Sequence, residues 1–119
     1  MLVDTLLQER MKKAIEAGER NPWVYGKYTD FYFRNTRRMI NGEIYPSIDV
    51  ANITVNPKYK SRGVFKSLMD FIETEYRHRL IYAENILEPR LVDFFVKRGY
   101  TRVDKGEYDP APSFYLLPK

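Results

Sequence analysis

The stretch from residue 48 to residue 72 constrains the fold of this chain more than any other part of the sequence. An apolar segment ending at Val55 is followed by Asn56-Pro57, by a short basic loop that contains Gly63, and then by an amphipathic segment. Apolar residues recur there at intervals of three and four positions, which predicts one apolar helix face: Phe65, Leu68, Met69, Ile72 and Tyr76. The stretch therefore predicts a strand that turns sharply into a helix.

The turn between this strand and this helix has the properties of an anion site. The first-turn amides of a helix have no intrachain acceptors, and they lie at the positive end of the helix dipole. Lys60, Arg62 and Lys66 surround Gly63 and add positive charge at the same place. We therefore expect a pyrophosphate to bind here. The alternative is an ordinary β–α turn with solvated lysines.

The strand that precedes the turn changes the phase of its apolar alternation. Ile48 and Val50 occupy even positions, whereas Ile53 and Val55 occupy odd positions. A strand has a side-chain period of two, so both pairs can share a face only if one extra residue is inserted between them. This predicts a β-bulge near Ala51-Asn52.

The segments before this strand predict a helix and an antiparallel meander. The helix is expected over residues 4–17 with a cap at Gly18, and its apolar stripe comprises Val3, Leu7, Met11, Ala14 and Ile15. Asn41-Gly42 predicts a tight hairpin because both positions tolerate positive φ. The expected strands are Trp23–Tyr28, Phe31–Ile40 and Glu43–Val55, with a turn at Thr29-Asp30 between the first two.

The segments after the amphipathic helix complete a mixed sheet. Strand–helix–strand order predicts that the next strand, Leu80–Glu84, runs parallel to the one before the helix. Pro89 favours the first position of a helix over Pro89–Lys97, which ends at Gly99. The remaining predicted elements are strands at Tyr100–Val103 and Ser113–Leu117 and a turn at Lys105-Gly106. We expect one α/β domain over residues 1–119, with an exposed C-terminal strand that favours a homodimer.

Composition excludes several kinds of site. The 119 residues include no cysteine and one histidine, which excludes disulfides, thiolate zinc sites and cysteine nucleophiles and disfavours a multi-histidine metal site. There is no apolar run of membrane-spanning length and no secretory signal pattern, so we expect a cytoplasmic protein without a membrane partner. The formal net charge of +4 keeps nucleic acid open as a partner.

Two segments resemble the signatures of the GNAT superfamily of N-acetyltransferases. Residues 60–65, Lys-Ser-Arg-Gly-Val-Phe, are similar to its acyl-CoA-binding motif, although Lys60 and Phe65 depart from the usual residues. Residues 88–100 resemble its second signature, a helix followed by Gly-Tyr. The resemblance covers about residues 23–117 and implies flanking helices around a sheet whose central parallel strands splay apart. The family's first strand and second helix have no counterpart, which implies an open acceptor side.

The resemblance implies an acetyl-CoA-dependent N-acetyltransferase that acts on a primary amine by direct attack on the thioester. The acceptor would be a protein lysine, a protein N-terminus or a small amine. The main chain of Ile53 and Val55 would bind the pantetheine arm, and an amide near one of them would hold the oxyanion. The amides of residues 62–66 would bind the pyrophosphate. The implied cofactor-binding residues are Ile53, Val55, Lys60, Ser61, Arg62, Gly63, Val64, Phe65, Lys66, Asn85 and Phe95.

Several side chains are candidates for accepting the proton of the amine and for protonating the thiolate. An alkylamine with a pKa of about 10.4 costs ~4–5 kcal/mol to deprotonate at neutral pH, so a nearby carboxylate is useful. Asp49 matches the position of the glutamate base in some histone-acetylating members. Its alternative is a solvated carboxylate or an arginine partner, and Glu84 and Glu88 are weaker candidates. The family's tyrosine acid corresponds to Phe95, which leaves three substitutes: Tyr100, Tyr82 and Tyr32.

A second class of function remains open from the sequence. Phe95 and the short N-terminal region favour a catalytically weak GNAT-like binding module that acts on nucleic acid or a protein through its basic surface. A narrower possibility is acylation of a modified nucleobase, which would use the positive charge of the chain directly.

Overall fold

The computed structural model describes residues 1–103 and 109–119, which form a six-stranded mixed sheet and three α-helices. The helices are α1 (Thr5–Glu16), α2 (Val64–Glu75) and α3 (Pro89–Lys97), and a single 3-10 turn covers Pro57–Tyr59. The strands are β1 (Trp23–Tyr25), β2 (Thr29–Ile40), β3 (Glu43–Val55), β4 (Leu80–Ala83), β5 (Thr101–Val103) and β6 (Ser113–Leu116). Their order in the sheet is β1-β2-β3-β4-β6-β5.

The long β2–β3 hairpin carries the two local features expected from the sequence. Asn41 and Gly42 have φ values of 50° and 84°, which confirms the tight turn with two positive φ angles. The pairing then shifts between Tyr32, opposite Asn52, and Phe33, opposite Val50. Ala51 is thus the extra residue, and the predicted bulge is confirmed.

The predicted strand–helix–strand unit is also present. β3 and β4 pair in parallel from Ser47 opposite Leu80 to Val50 opposite Ala83. β3 then continues to Val55 after β4 has ended. The central strands therefore run together for a short distance and then part.

All three helices contribute to a core on one face of the sheet. Its side chains include Leu7 and Met11 of α1, Leu68, Met69 and Ile72 of α2, Phe95 of α3, and Phe31, Phe33, Ile48, Val50, Ile81, Ala83 and Phe114 of the sheet. Because side chains alternate along a strand, Arg34, Asp49 and Tyr82 share the opposite face. Val3 was expected on the apolar stripe of α1 but is 44% exposed, since it precedes the first turn of that helix.

The turn expected at Thr29-Asp30 is wrong, because the chain turns earlier and β2 already begins at Thr29. Asp4, which caps α1, is the physical reason. Its carboxylate accepts hydrogen bonds from the amides of Lys27 and Tyr28 at 3.0 and 2.8 Å. A β-carbon at Gly26 would lie 2.3 Å from this carboxylate, so only glycine fits beside it. The first strand consequently ends at Tyr25 rather than Tyr28.

The C-terminal strand does not lie at an edge of the sheet, so the expectation of an exposed C-terminal strand is wrong. β6 pairs antiparallel with β4 on one side and with β5 on the other, so β1 and β5 form the sheet edges. The argument for a homodimer through this strand therefore no longer holds. The turn predicted at Lys105-Gly106 lies outside the described residues. In the part of the chain that is described, no helix combines the length and apolar character needed to cross a membrane.

A partly exposed ion-pair network connects the end of α3 to α2. The guanidinium of Arg98 contacts carboxylate oxygens of Glu73 and Asp70 at 2.6 and 2.5 Å. The Tyr100 hydroxyl donates to Glu73 at 2.8 Å. Burial raises the pKa of Tyr100 well above 10.0, and the negative charge of Glu73 raises it further. The network holds the two helices that border the site described next.

Candidate active site

A cleft opens where β3 and β4 separate. The amide of Glu84 donates to the carbonyl of Val50 at 3.0 Å, and beyond this bond β3 continues to Val55 paired with β2 but no longer with β4. The cleft has a volume of ≈ 640 Å³. It is lined by residues 50–55 of β3, Lys60 and Ser61 of the turn, Phe65 of α2, residues 84–88 after β4, and Arg90, Leu91 and Phe95 of α3.

The main chain of β3 presents unpaired groups to this cleft. The Asn56 amide donates to the Tyr28 carbonyl at 2.8 Å, which makes these two residues a hydrogen-bonded pair of the β2–β3 ladder. Bonded and non-bonded pairs alternate in an antiparallel ladder, so Val55 and Ile53 belong to non-bonded pairs. Their N–H and C=O groups point away from β2 and toward the cleft. This is the arrangement needed to bind an extended amide-containing ligand along the strand edge.

The turn before α2 leaves its amides without acceptors. Gly63 is the N-cap residue of α2 with a φ of 83°, and because glycine has no side chain, no side-chain cap binds these amides. The first helical bond runs from the Ser67 amide to the Gly63 carbonyl at 2.9 Å. In the described part of the chain, no acceptor is found for the amides of residues 62–66. The N-terminus of α2 therefore keeps its capacity to bind an anion.

The side chains of the predicted loop residues differ in where they lie. Lys60, Ser61 and Phe65 line the cleft, as do Ile53, Val55, Asn85 and Phe95. The side chain of Lys66 instead pairs with Asp70 at 3.1 Å, and Val64 is buried in the protein. Val64 and Lys66 therefore offer the anion site their amides rather than their side chains. Their assignment to a bound cofactor stays a prediction.

The N-terminal residues pack against one side of the same turn. The Leu2 amide donates to the Arg62 carbonyl at 2.7 Å, and the Ser67 hydroxyl donates to the Leu2 carbonyl at 2.9 Å. A β-carbon added at Gly63 would lie 2.6 Å from Cγ of Met1. The positive φ therefore favours glycine here, and a β-carbon would also displace the Met1 side chain.

Asp49 is engaged in an ion-pair network on the face of the sheet opposite the helices. Its side chain is 1% exposed, and one oxygen accepts from Arg38 Nε at 2.7 Å. The Ser47 hydroxyl donates to its other oxygen. Arg38 also contacts Glu84 at 2.8 Å and lies over the Tyr82 ring, with Cζ 3.7 Å from the centroid. Asp49 does not line the cleft, and it fixes the guanidinium that contacts Glu84.

Glu84 is the member of this network that reaches the cleft. Its side chain is 15% exposed, and it lies at the point where β4 ends and the two strands part. Arg34 and Arg38 contact its two carboxylate oxygens at 3.5 and 2.8 Å. Glu88 also lines the cleft, but there its side chain caps α3.

The tyrosines named as substitutes for Phe95 all lie elsewhere. Tyr100 is bonded to Glu73, Tyr82 lies beneath Arg38, and Tyr32 stacks on Trp23 with a centroid distance of 5.2 Å. No tyrosine lines the cleft in the described residues. Phe95 itself is fully buried and stacks on Phe114 at 5.4 Å. A phenolic acid is therefore missing from the described wall of the cleft.

Sequence reasoning missed several residues that line the cleft: Val50, Ala51, Asn52, Thr54, Ile86, Leu87, Arg90 and Leu91. Arg90 lies in the first turn of α3, while Ile86 and Leu87 belong to the loop before it. A charged residue in a first turn has no distinctive spacing, so no sequence signal marked it. Arg90 gives the cleft a second side-chain cation beside Lys60.

Comparisons with known proteins agree with this architecture. The family model described as "Acetyltransferase (GNAT) domain" matches residues 8–103. No significant sequence match was found among the curated proteins compared with the chain. Solved structures with a similar fold include three acetyltransferases, all below 20% sequence identity.

The first is a histone acetyltransferase HPA2 and related acetyltransferase from Corynebacterium glutamicum, with a TM-score of 0.65 and 11% identity over 91% of this chain and 71% of that one. The second is the Bacillus subtilis N-acetyltransferase YlbP in complex with coenzyme A, with a TM-score of 0.55 and 14% identity over 99% and 93% of the two chains. The third is Arabidopsis thaliana Naa50 with a bisubstrate analogue, at a TM-score of 0.52 and 16% identity over 90% and 77%. These likenesses establish the fold.

Proposed function

The chain belongs to the GNAT acetyltransferase family, because the family model matches residues 8–103, and on that premise we propose that it transfers an acetyl group from acetyl-CoA to a primary amine. One observation carries the proposal: β3 runs past the end of β4 and presents its main chain to a cleft that ends at the free amides of α2. Similar structures are bound to coenzyme A or acetyl-CoA, which supports this donor.

The residues of the cleft fit each part of the donor. The pantetheine arm is an extended chain of amides, which pairs with the N–H and C=O groups of Ile53 and Val55. The pyrophosphate binds the amides at the N-terminus of α2, with Lys60 and Arg90 as nearby cations. Phe65 and Phe95 form the apolar base of the cleft. The acetyl group then lies where β3 and β4 part, beside Glu84.

Glu84 is the proton acceptor that this geometry favours. The amine nitrogen attacks the thioester carbonyl carbon, so an N–C bond forms and the C–S bond breaks. The amine proton passes to the Glu84 carboxylate directly or through water. Both Glu84 and Asp49 are paired with arginine, but Asp49 is 1% exposed and does not line the cleft, whereas Glu84 is 15% exposed and does.

The sulfur leaves as a thiolate and is protonated by solvent. Since no tyrosine lines the described cleft, no phenol is available there to assist it. A thiol with a pKa of about 8.5, as for free cysteine, leaves acceptably as an anion. We therefore expect a slow enzyme, because a positioned acid usually contributes ~10²–10⁴ in rate.

Two measurements, made one after the other, test this function. Acetyl-CoA should raise the melting temperature of the protein, because it binds the folded state alone. Free thiol should then appear when an amine panel is added, including a lysine peptide, a peptide with a free N-terminus and a polyamine. Absence of a melting shift at saturating acetyl-CoA would refute the cleft assignment. A shift without thiol release from any amine would refute catalysis alone.

A melting shift without thiol release would identify the other candidate function, a binding module that holds coenzyme A without turnover. The cleft wall without a tyrosine is the observation that favours this module. Such a module would give the same melting shift with coenzyme A and acetyl-CoA.

A further inference from the structure

Three arginines converge on a recess at the other end of the sheet from the cleft. Arg20, Arg37 and Arg79 line it together with Asn35, Thr36 and Pro46, and its volume is ≈ 500 Å³. Arg20 precedes β1, Arg37 lies on β2, and Arg79 immediately precedes β4. The recess therefore brings together three segments that are far apart in the sequence.

Asn35 organises this recess through two hydrogen bonds. Its side-chain oxygen accepts from Arg79 Nη1 at 2.6 Å. Its backbone amide donates to the Arg20 carbonyl at 2.8 Å. Asn35 and Arg37 are two positions apart on β2, so their side chains share a face. Asn35 thus holds the segments that carry Arg20 and Arg79 against β2, which carries Arg37.

The described part of the chain supplies no carboxylate counter-ion to these three guanidinium groups. Elsewhere on the protein, Arg34, Arg38 and Arg98 are each paired with at least one carboxylate. Within the described residues, neither Arg20, Arg37 nor Arg79 forms any such ion pair. Arginine stays charged at any physiological pH, so the cluster keeps three positive charges around one recess. An anion in the recess would relieve their mutual repulsion.

From this geometry we infer that the recess binds a phosphate group of an anionic ligand. Guanidinium groups match phosphate oxygens with paired hydrogen bonds, and they do so more specifically than ammonium groups. The neutral lining residues Asn35 and Thr36 add polar groups without adding negative charge. The volume exceeds that of one phosphate ion, so the recess also has room for the group that carries the phosphate.

This site is separate from the cofactor cleft and goes beyond acetyl transfer. Pro46 lines the recess and Val50 lines the cleft. The β3 residues of the two sites that lie nearest each other, Pro46 and Val50, are four steps apart, or roughly 13 Å at about 3.3 Å per residue. The inference therefore holds whether or not the protein transfers acetyl groups.

Phosphate can come from a small phosphorylated molecule or from the phosphodiester backbone of a nucleic acid. The test uses sodium pyrophosphate in titration calorimetry and a fluorescein-labelled single-stranded RNA in anisotropy. Both probes are added in the presence of saturating coenzyme A, so that the cleft does not contribute. The variants are Arg37→Gln and Asn35→Asp, and the control is Lys13→Gln, which removes an exposed charge on α1.

We expect Arg37→Gln to weaken binding of the responding probe by about tenfold, as for loss of one charge-assisted contact. Asn35→Asp should weaken it at least as much, because the carboxylate can keep the bond to Arg79 but adds one negative charge to the three positive charges of the recess. Lys13→Gln should leave the affinity within about twofold, since it removes the same charge at a distance where salt screens it.

The response of the two probes identifies the source of the phosphate. Weakened RNA binding with a salt slope reduced by about one in Arg37→Gln indicates a phosphodiester ligand. Weakened pyrophosphate binding without RNA binding indicates a small phosphorylated molecule. The inference is overturned if neither probe binds, or if Arg37→Gln and Asn35→Asp, shown to be folded by circular dichroism, bind as tightly as the wild type.

Discussion

The Glu84 amide donates a hydrogen bond of 3.0 Å to the Val50 carbonyl, and this contact marks the point where β3 and β4 part. Upstream of it the strands pair in parallel register, and downstream the bulge at Ala51 turns the apolar residues Ile53 and Val55 onto the cleft. The side chain of Glu84 lies at the same point. The end of pairing between β3 and β4 therefore opens the cleft and places the Glu84 carboxylate at its edge.

The anion site at α2 is tested by Gly63→Val with Gly18→Val as a matched control. Both glycines have positive φ, of 83° and 72°, so valine costs about 1–2 kcal/mol of backbone strain at either position. We expect Gly63→Val alone to abolish measurable coenzyme A binding in calorimetry, because Gly18 faces open space away from the cleft. Equal affinity in wild type and Gly63→Val would refute the loop assignment.

The contribution of charge in the cleft is tested by Lys60→Ala. Lys60 lines the cleft, whereas Lys58 is exposed on the preceding turn. We expect Lys60→Ala to raise the dissociation constant of coenzyme A about three- to tenfold, with a smaller effect at high salt. Lys58→Ala should change it by less than about twofold. Identical effects of the two variants would mean that Lys60 acts through net charge alone.

The proton acceptor is tested by Glu84→Gln against Glu88→Gln. Both carboxylates line the cleft, but Glu88 serves as the cap of α3. We expect Glu84→Gln to lower kcat by ~10²-fold or more and to remove the acidic limb of the pH–rate profile. Glu88→Gln should retain most of kcat. A normal pH profile in Glu84→Gln would exclude Glu84 as the base.

The role of Asp49 is tested by Asp49→Asn in denaturant unfolding. Removing its charge leaves Arg38, whose side chain is 29% exposed, without one of its two carboxylates. Breaking a buried pair of this kind costs about 3 kcal/mol in the free energy of unfolding. We expect a loss of this size, together with a lower kcat through the displaced Arg38. If stability were unchanged but kcat fell like that of Glu84→Gln, Asp49 would be the base.

The Tyr100–Glu73 contact predicts a loss of stability at alkaline pH. Burial, and then the charge of Glu73, raise the folded-state pKa of Tyr100 above its ordinary value of 10.0. Its contribution to stability is therefore complete below pH 10.0 and is lost as the pH rises further. Tyr100→Phe should flatten the decline of the unfolding free energy above about pH 10. The exposed Tyr25→Phe should not change the decline, and an equal slope in both variants would contradict the prediction.

In Tyr100→Phe, Tyr76 still contributes to the decline of the unfolding free energy with rising pH. Its pKa is also raised, chiefly by burial, so it contributes its own loss of stability at high pH. The measurement therefore compares slopes between variants rather than seeking a flat profile.

The local features of the backbone were predictable because each depends on a few neighbouring residues. The phase shift around Ala51 predicted the bulge, Asn41-Gly42 predicted the hairpin, and Pro89 with Gly99 predicted the bounds of α3. Steric and conformational preferences of this kind act within a few residues, so they are visible in the sequence itself. The first turn of the sheet escaped this reasoning because Asp4, more than 20 residues away, determines it.

The sequence by itself determined the strand–turn–helix unit, its glycine and the family to which the chain belongs. The tertiary structure alone decided that β6 lies inside the sheet, that Arg38 joins Asp49 to Glu84, and that Arg20, Arg37 and Arg79 share a recess. The reason is that partners of charged side chains depend on strand order and register across the sheet. These are set by the packing of the whole core, and periodicity within one segment carries no information about them.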